Sequence, residues 1–464
     1  MAPNLTNLAL KYAPVWLQNI GISAYGYKWN KRRFGGIFEN ELKLFRNRES
    51  FTVQNWNDYQ NKKLTEILLH SFNNIEYYNN KFKSYGLNED KLRKISINDL
   101  NKLPFLEKNE LRKYGTNTLL AVNKEKNGEF YSSSGSTGTP TKILYSTNFH
   151  KKVSAAYEAR VRIWAGLTKD DSRGMIGGRR IVPEGIAKPP YYRYNFIEKQ
   201  VYFSAYHISP KNIKNYLHGM LKYNLDYMVG YAMSNFFLAS YIQTLGLRAP
   251  NLKAVITSSE KLTPQMREVF KEVYNCKTYD GWSGVENCAL VSECENGNLH
   301  ISPDVGVLEV LDENNKNVSS GESGEVVCTG FLNLDQPLIR YKIGDRMTLS
   351  NETCACGRNM PIIREIDGRI EDVVIGPDGR KMVRFHALYL GINKIRFGQV
   401  IQNTINNLTV KLVVEDLLTK DEENLIINRV ISQLGNITVN LQYASESDFV
   451  FNGKFKSVIS NLNK

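Results

Sequence analysis

Apolar positions change their period along the chain, and each change predicts a different kind of element. Leu64, Ile67, Leu68 and Phe72 recur at helical spacing, and 95–103 leads into a further helix near 108–114, so 55–125 reads as mostly helical. Runs at 128–131 and 142–146 read as strands on either side of a glycine-rich loop, followed by a helix over 149–165. Between 166 and 330, short apolar runs such as Leu252-Lys253-Ala254-Val255-Ile256-Thr257 alternate with helical patterns such as 264–273, the texture of a parallel sheet covered by helices. From 305 to 349 it turns to strand-turn-strand. Val307-Leu308-Glu309-Val310-Leu311 and Val326-Val327-Cys328 flank turn-rich segments, which fits a small β-barrel-like module. From 368 onward strands near 408–414 and 437–443 enclose a helix over 421–434, a compact α/β piece. The fold class expected is α/β, with a large N-terminal domain of helix-covered sheets plus the β-module over 1–367 and a small C-terminal α/β domain over 368–464.

At 464 residues the chain exceeds a single comfortable core, which agrees with two domains of unequal size. The net charge of +13 would suit nucleic acid, an anionic membrane or a polyanionic small substrate such as ATP. Lysines and arginines are interspersed with acids, apart from the cluster Lys28, Lys31, Arg32 and Arg33 and the pair Arg179-Arg180, so no nucleic-acid partner is expected. No apolar stretch is long enough to cross a membrane. Lys11, Pro14, Gln18 and Asn19 interrupt the start, 1–27, which reads as an amphipathic helix docking on the protein rather than a signal peptide. Trp16, Leu17 and Ile20 beside the basic cluster also suit peripheral membrane contact. Six cysteines without a secretion signal point to a reducing cytoplasm.

The stretch Tyr131-Ser132-Ser133-Ser134-Gly135-Ser136-Thr137-Gly138-Thr139-Pro140 carries the strongest chemistry. Gly135 and Gly138 let backbone amides turn toward an anion, and the hydroxyls add donors, as a phosphate cradle requires. The same composition also suits a flexible linker. A Walker loop is excluded, since Gly138 is followed by Thr139-Pro140-Thr141-Lys142 and a β-like run instead of Lys-Ser/Thr opening a helix.

Residues 133–140 resemble the phosphate loop of the adenylate-forming superfamily, which includes acyl- and aryl-CoA ligases. Four further segments follow in the family's order. Trp282-Ser283-Gly284-Val285-Glu286 is similar to its Tyr-Gly-x-Ser/Thr-Glu segment and Arg340-Tyr341-Lys342-Ile343-Gly344-Asp345 to its Arg-Tyr-x-Thr-Gly-Asp segment. Gly368-Arg369-Ile370-Glu371-Asp372 is similar to its hinge, and Gly453-Lys454-Phe455-Lys456 completes the set. The resemblance spans nearly the whole chain. It is nearest to the phenylacetate-CoA ligase branch and, within it, to proteins associated with capsular polysaccharide biosynthesis.

The resemblance implies ATP-dependent activation of a carboxylic acid to an acyl-adenylate, then acyl transfer to CoA or to an amine or hydroxyl acceptor. A nucleotide-binding scaffold without catalysis is the alternative. Ser133, Ser134, Gly135, Ser136, Thr137, Gly138 and Thr139 would hold the phosphates, Glu286 Mg²⁺, Trp282 the adenine and Asp345 the ribose hydroxyls. Arg369 would reach ribose or phosphate, Glu371 would be the hinge of a mobile C-terminal domain (368–372), and Lys454 would bridge carboxylate and α-phosphate. Taken singly, Glu286 also suits a solvated helix start, Asp345 a turn, Arg369 and Glu371 a charged linker, and Lys454 a solvated terminus with Lys456 as its rival. Val285 stands where relatives carry Ser or Thr. After the hinge, 373–380 lacks the Gly-x-Asn-x-x-Pro pattern that relatives bring against CoA. A homodimer is among the assemblies such a chain can form.

Cys294 and His300, with Cys354-Ala355-Cys356, offer three thiolates and an imidazole, a closed tetrahedral set for structural Zn²⁺, although buried free thiols would read the same way. Members of this branch can carry zinc at matching positions, which favours a site joining the β-module to the main domain. Cys276, Cys288 and Cys328 read as core. Val229-Gly230-Tyr231-Ala232-Met233-Ser234 aligns loosely with the acyl-binding region and Ser258-Ser259-Glu260 with the adenine region; neither names a substrate.

Overall fold

The computed structural model describes residues 13–132, 140–179, 181–183, 188–260, 262, 264–366, 374–382, 388–389, 391–392, 394–414, 416–444 and 458–462. Helices open the chain. Val53–Asn74 starts at a capping box in which Thr52 and Asn55 satisfy each other's amides, and it buries Trp56, Leu64, Ile67 and Leu68. Glu76–Ser84 and Lys108–Tyr114 complete the expected helical lead-in. The helix Val15–Phe34 docks on the protein, but through its polar side. Asn19 Oδ1 and Ser23 Oγ accept hydrogen bonds from the backbone amides of Tyr194 and Phe196, and Gln18 accepts from Arg193. These groups belong to an edge strand and the turn after it, where backbone donors without a neighbouring strand need other partners. Gly26 permits the close approach, since a Cβ there would lie 2.2 Å from Asn195. Trp16 and Ile20 stay exposed.

Strands β1 (Glu129–Ser132) and β2 (Lys142–Tyr145) pair antiparallel, Ser132 opposite Lys142, as the flanks of the glycine loop predicted. A twelve-stranded sheet forms the centre of the large region. Its parallel part uses β3 (Arg173–Gly177), β5 (Gln200–Ser204), β6 (Tyr227–Tyr231), β7 (Ala254–Ser258) and β8 (Lys277–Trp282), with β4 (Tyr192–Asn195) at the edge. Its antiparallel part uses β9 (Val291–Glu293), β10 (Leu299–Ile301), β11 (Gly306–Leu311), β12 (Ser323–Gly330), β13 (Tyr341–Ser350) and β14 (Ile362–Ile366). The order is β11-β12-β13-β14-β10-β9-β8-β7-β6-β3-β5-β4. The strands anticipated as a β-barrel-like module are therefore continuous, through β10 and β9, with the parallel strands.

The helix expected over 149–165 is Thr147–Tyr157, capped by Ser146, continuing into a π-turn at Glu158–Arg162 and a 3₁₀ turn. The π-turn carries Arg160 into the interior, where it meets Glu49 at 2.6 Å and Asp304 at 3.1 Å. A separate C-terminal α/β region has its own core around Val400, Val410, Ile426 and Val430. There β15 (Ile395–Thr404) pairs antiparallel with β16 (Asn407–Val414), β16 runs parallel to β17 (Thr438–Tyr443), and the helix Lys420–Leu434 joins these last two. No helix among the described residues is long and apolar enough to cross a membrane.

Candidate active site and metal cluster

A cavity of 460 Å³ opens over the parallel strands, and its floor includes Tyr227 and Val229 of β6, Ile256 to Ser258 of β7 and Trp282 of β8. The carboxyl ends of parallel strands are the usual place for a ligand in an open α/β sheet, because chain reversals leave a crevice there. Gly230 is required for this packing: its φ is +135°, and a Cβ would stand 1.9 Å from the Ile176 carbonyl of β3.

Three of the sequence-predicted residues come together near one end, where Trp282 lines the cavity. Trp282 Nε1 donates to Asp345 Oδ2 at 3.0 Å. Asp345 does not end its strand, as its glycine turn suggested. Instead β13 continues to Ser350, and between the pairs Glu325–Arg346 and Val327–Lys342 it inserts extra residues around Gly344. Such a bulge re-aims a side chain while the strand continues. Glu286 is buried rather than solvated. Its Oε1 accepts from Thr141 Oγ1 at 3.3 Å and from the Tyr341 hydroxyl at 3.4 Å. Burial raises its pKa, and the nearby Asp345 adds to the rise. Thr141 follows the glycine loop by two residues, so Glu286 lies at the loop's base. Ser133, Ser134, Gly135, Ser136, Thr137, Gly138 and Thr139, with Arg369, Glu371 and Lys454, lie outside the described residues.

Arg340, in the same motif as Asp345, is structural. It adopts φ +46° and makes a two-pronged buried pair with Glu309 at 3.0 and 2.9 Å, while donating to the Leu103 carbonyl at 2.9 Å. Several contributors were not foreseen. Tyr341 belongs to one motif and Thr141 follows another, yet only their packing on Glu286 gives them a role. Tyr145 donates to the Val285 carbonyl at 2.6 Å and accepts from Asn287, holding the segment that carries Glu286. Asp280 of β8 accepts from Thr257 at 3.1 Å, and burial beside Glu293 pushes its pKa up to about 7. The basic pairs noted in the sequence were a usable signal, since Arg33 and Arg179 both reach the cavity.

The ligand atoms of Cys294, His300, Cys354 and Cys356 lie within 4.8 Å of one another. Cys294 Sγ is 3.6 Å from Cys354 Sγ, and Cys356 Sγ is 3.5 Å from His300 Nε2. A regular tetrahedron with Zn–S of ~2.3 Å and Zn–N of ~2.05 Å has edges of about 3.8 and 3.6 Å, so the donor set fits zinc. The hydrogen bonds around the donors fit as well. His300 Nδ1 lies 3.2 Å from the Met360 carbonyl; donating there leaves Nε2 to face the thiols, and Asn298 Nδ2 donates to Cys354 Sγ at 3.2 Å. Burial raises the Cys354 pKa, but donors from Cys356 and Asn298 outweigh it and the net shift is downward. Burial pushes Cys294 up to about 11. The cluster clips the β9–β10 hairpin to the β13–β14 connection. Cys288 and Cys328 are buried in the main core and Cys276 packs partly buried beside the sheet, as expected for core thiols.

A family model described as the CapK C-terminal domain matches residues 374–461. The chain is 26% identical to Protein CapK of Staphylococcus aureus over 99% of its own length and 100% of that protein's. It is 24% identical to the phenylacetate-coenzyme A ligase of Pseudomonas putida, over 90% of this chain and 88% of the relative. The corresponding protein of Thermus thermophilus is 25% identical over 68% and 71%. Among solved structures, a 2-hydroxyisobutyryl-CoA ligase in complex with 2-HIB-AMP and CoA in its thioesterification state shares the fold, with a TM-score of 0.60 and 18% identity over 89% of this chain and 91% of that one.

Proposed function

For a chain homologous to CapK and the phenylacetate-CoA ligases and built on the fold of adenylate-forming ligases, we propose ATP-dependent activation of a carboxylic acid to an acyl-adenylate. Pyrophosphate leaves, and the acyl group passes to CoA or to an amine or hydroxyl acceptor in capsule or surface polysaccharide biosynthesis. The observation that supports this most is the convergence of three distant segments. Glu286 is buried between Thr141 at the exit of the glycine loop and Tyr341, beside the Trp282–Asp345 pair.

Attack of a carboxylate on the α-phosphate brings two anions together, so positive charge and preorganised donors have to offset their repulsion. In this reading the hydroxyls and amides of 133–139 take the triphosphate, and Glu286, with its Oε1 held by two hydroxyls, would hold Mg²⁺, which neutralises phosphate oxygens when bound. Asp345 takes the ribose hydroxyls, Trp282 packs on the adenine, and Arg369 reaches the ribose or phosphate. Lys454 bridges the carboxylate and α-phosphate. The C-terminal domain, from 368, rotates about Glu371 to exchange the first half-reaction for the second. The four-residue Cys/His cluster would hold Zn²⁺ with no open coordination position, a structural rather than catalytic role. Free thiols suit the cytoplasm as the place of action.

Carboxylate-dependent exchange of labelled pyrophosphate into ATP, across aryl, fatty, amino and sugar acids, tests the reading. Exchange with at least one class is expected. ATP binding without exchange for any acid would refute activation and favour a nucleotide-binding scaffold, a reading to which the replacement of the usual hydroxyl by Val285 lends weight.

A further inference from the structure

The end of the cavity remote from Trp282 is built for charge. From β8 the floor crosses β7 and β6 to β3, three strand spacings or ~14 Å, before it reaches Arg173. Ring contacts trace the same route along the other wall, from Tyr145 to His150 at 5.2 Å, to Trp29 at 4.8 Å, and to the Arg33 and Arg179 guanidiniums at 5.5 and 6.0 Å.

Four guanidiniums line this cavity, those of Arg33, Arg162, Arg173 and Arg179. Two carboxylates answer them. Glu158 pairs with Arg162 at 2.6 Å, and Glu198 is shared by Arg33 and Arg173. Arg179 donates only to the Tyr202 hydroxyl, at 3.4 Å, and among the described residues it has no carboxylate partner. Among the described residues two positive charges are thus in excess. Two buried polar atoms at the same end also lack partners, Nε of Arg33 and Nδ1 of His150, whose residue is 5% exposed. Burial, reinforced by Arg33 and Arg32, pushes the His150 pKa down to about 3, so the imidazole is neutral and one ring nitrogen can donate.

Arg33, little exposed and sharing one carboxylate with Arg173, is costly to hold there unless an anion completes the site, and Arg179, exposed beside the same Trp29 ring, adds a second guanidinium for it. The anions of the activation step itself belong to the opposite end, with Glu286 and Trp282. We propose that the acid taken into this cavity carries a second anionic group, distal to the carboxylate that is activated and held by Arg33 and Arg179 with His150 alongside. This rests on the activation reading above for which carboxylate reacts. Tyr131, Tyr145, Val229 and Ile256 add an apolar lining to the same cavity.

The test uses matched pairs, 4-carboxyphenylacetate against its neutral-ended analogue 4-carbamoylphenylacetate, and adipate against its monoamide. Binding to the full chain is measured by calorimetry, and pyrophosphate exchange is measured on the same acids. The doubly charged member should bind about ten- to a hundredfold more tightly, as expected for hydrogen bonds between charged groups. Arg179→Gln, at an exposed position, should bring that ratio close to one with an unchanged melting temperature, and Arg179→Lys should restore part of it. Equal or weaker binding of the doubly charged acids, their failure to bind at all, or a ratio indifferent to Arg179→Gln would overturn the proposal. A binding preference without exchange by these acids or any class in the wider panel would uphold the second anion site and sink the activation reading; exchange confined to the neutral-ended acids would do the reverse.

Discussion

Removing two thiols from the Cys/His cluster, as Cys354→Ser with Cys356→Ser, should loosen the link between the β9–β10 hairpin and the β13–β14 connection. Cys294 and Cys354 are 60 residues apart in sequence. A cross-link closing a loop of that length removes about 14 cal/mol/K from the unfolded chain, ~4 kcal/mol at 25 °C. With ~2.1 cal/mol/K of unfolding entropy per residue over a cooperative unit of ~350 residues, the expected fall in melting temperature is about 6 °C. Purified wild-type protein should hold one zinc per chain by elemental analysis. A strong chelator should lower its melting temperature by a similar amount and leave the double variant unmoved. Metal-free wild-type protein whose stability ignores chelator would refute the argument, as would a double variant that keeps its zinc.

Glu286→Gln keeps an oxygen for Thr141 and Tyr341, so it should leave stability intact while lowering pyrophosphate exchange on the order of a hundredfold or more, measured with saturating acid. Glu309→Gln leaves Arg340 as a buried unpaired charge and should cost ~3–5 kcal/mol in denaturant unfolding. Asp280, with its folded pKa pushed up to about 7, binds a proton more tightly folded than unfolded, so its contribution is full below its unfolded pKa of ~3.9 and is lost as pH rises through 7. Asp280→Asn should therefore gain melting temperature relative to wild type between pH 4 and pH 8; a pH-independent difference would contradict this. Lys454→Ala should abolish adenylation yet spare transfer from presynthesised acyl-adenylate, and equal loss of both steps would show that this lysine has another role.

Much of the framework was legible because it is local. Helical spacing at Leu64, Ile67, Leu68 and Phe72, the strands on either side of the glycine loop, and the alternation from 252 onward are set by neighbours within a few residues. What sequence reasoning misjudged depended on partners far along the chain. The N-terminal helix docks on the protein as expected, but the part played by Gln18, Asn19 and Ser23 was not legible, because it answers the unpaired amides of a distant edge strand. Asp345 was expected at a strand end, yet a bulge carries the strand past it. The charge clusters around Arg33 and at Arg179 were visible as composition, 146 residues apart, with nothing to say that they face one cavity.

By itself the sequence determined the element types, the α/β class, the ordered motifs with Trp282, Glu286 and Asp345, and the four members of the Cys/His cluster. Those depend on side-chain chemistry and short-range periodicity. Only the tertiary structure decided that Trp282 donates to Asp345, that Glu286 is buried under Thr141 and Tyr341, and that the two thiol segments approach to 3.6 Å. It also decided that Arg33 and Arg179 meet across Trp29. Strand order within the sheet fixes such distances, and that order is chosen by the packing of the whole core, which no short window of residues contains.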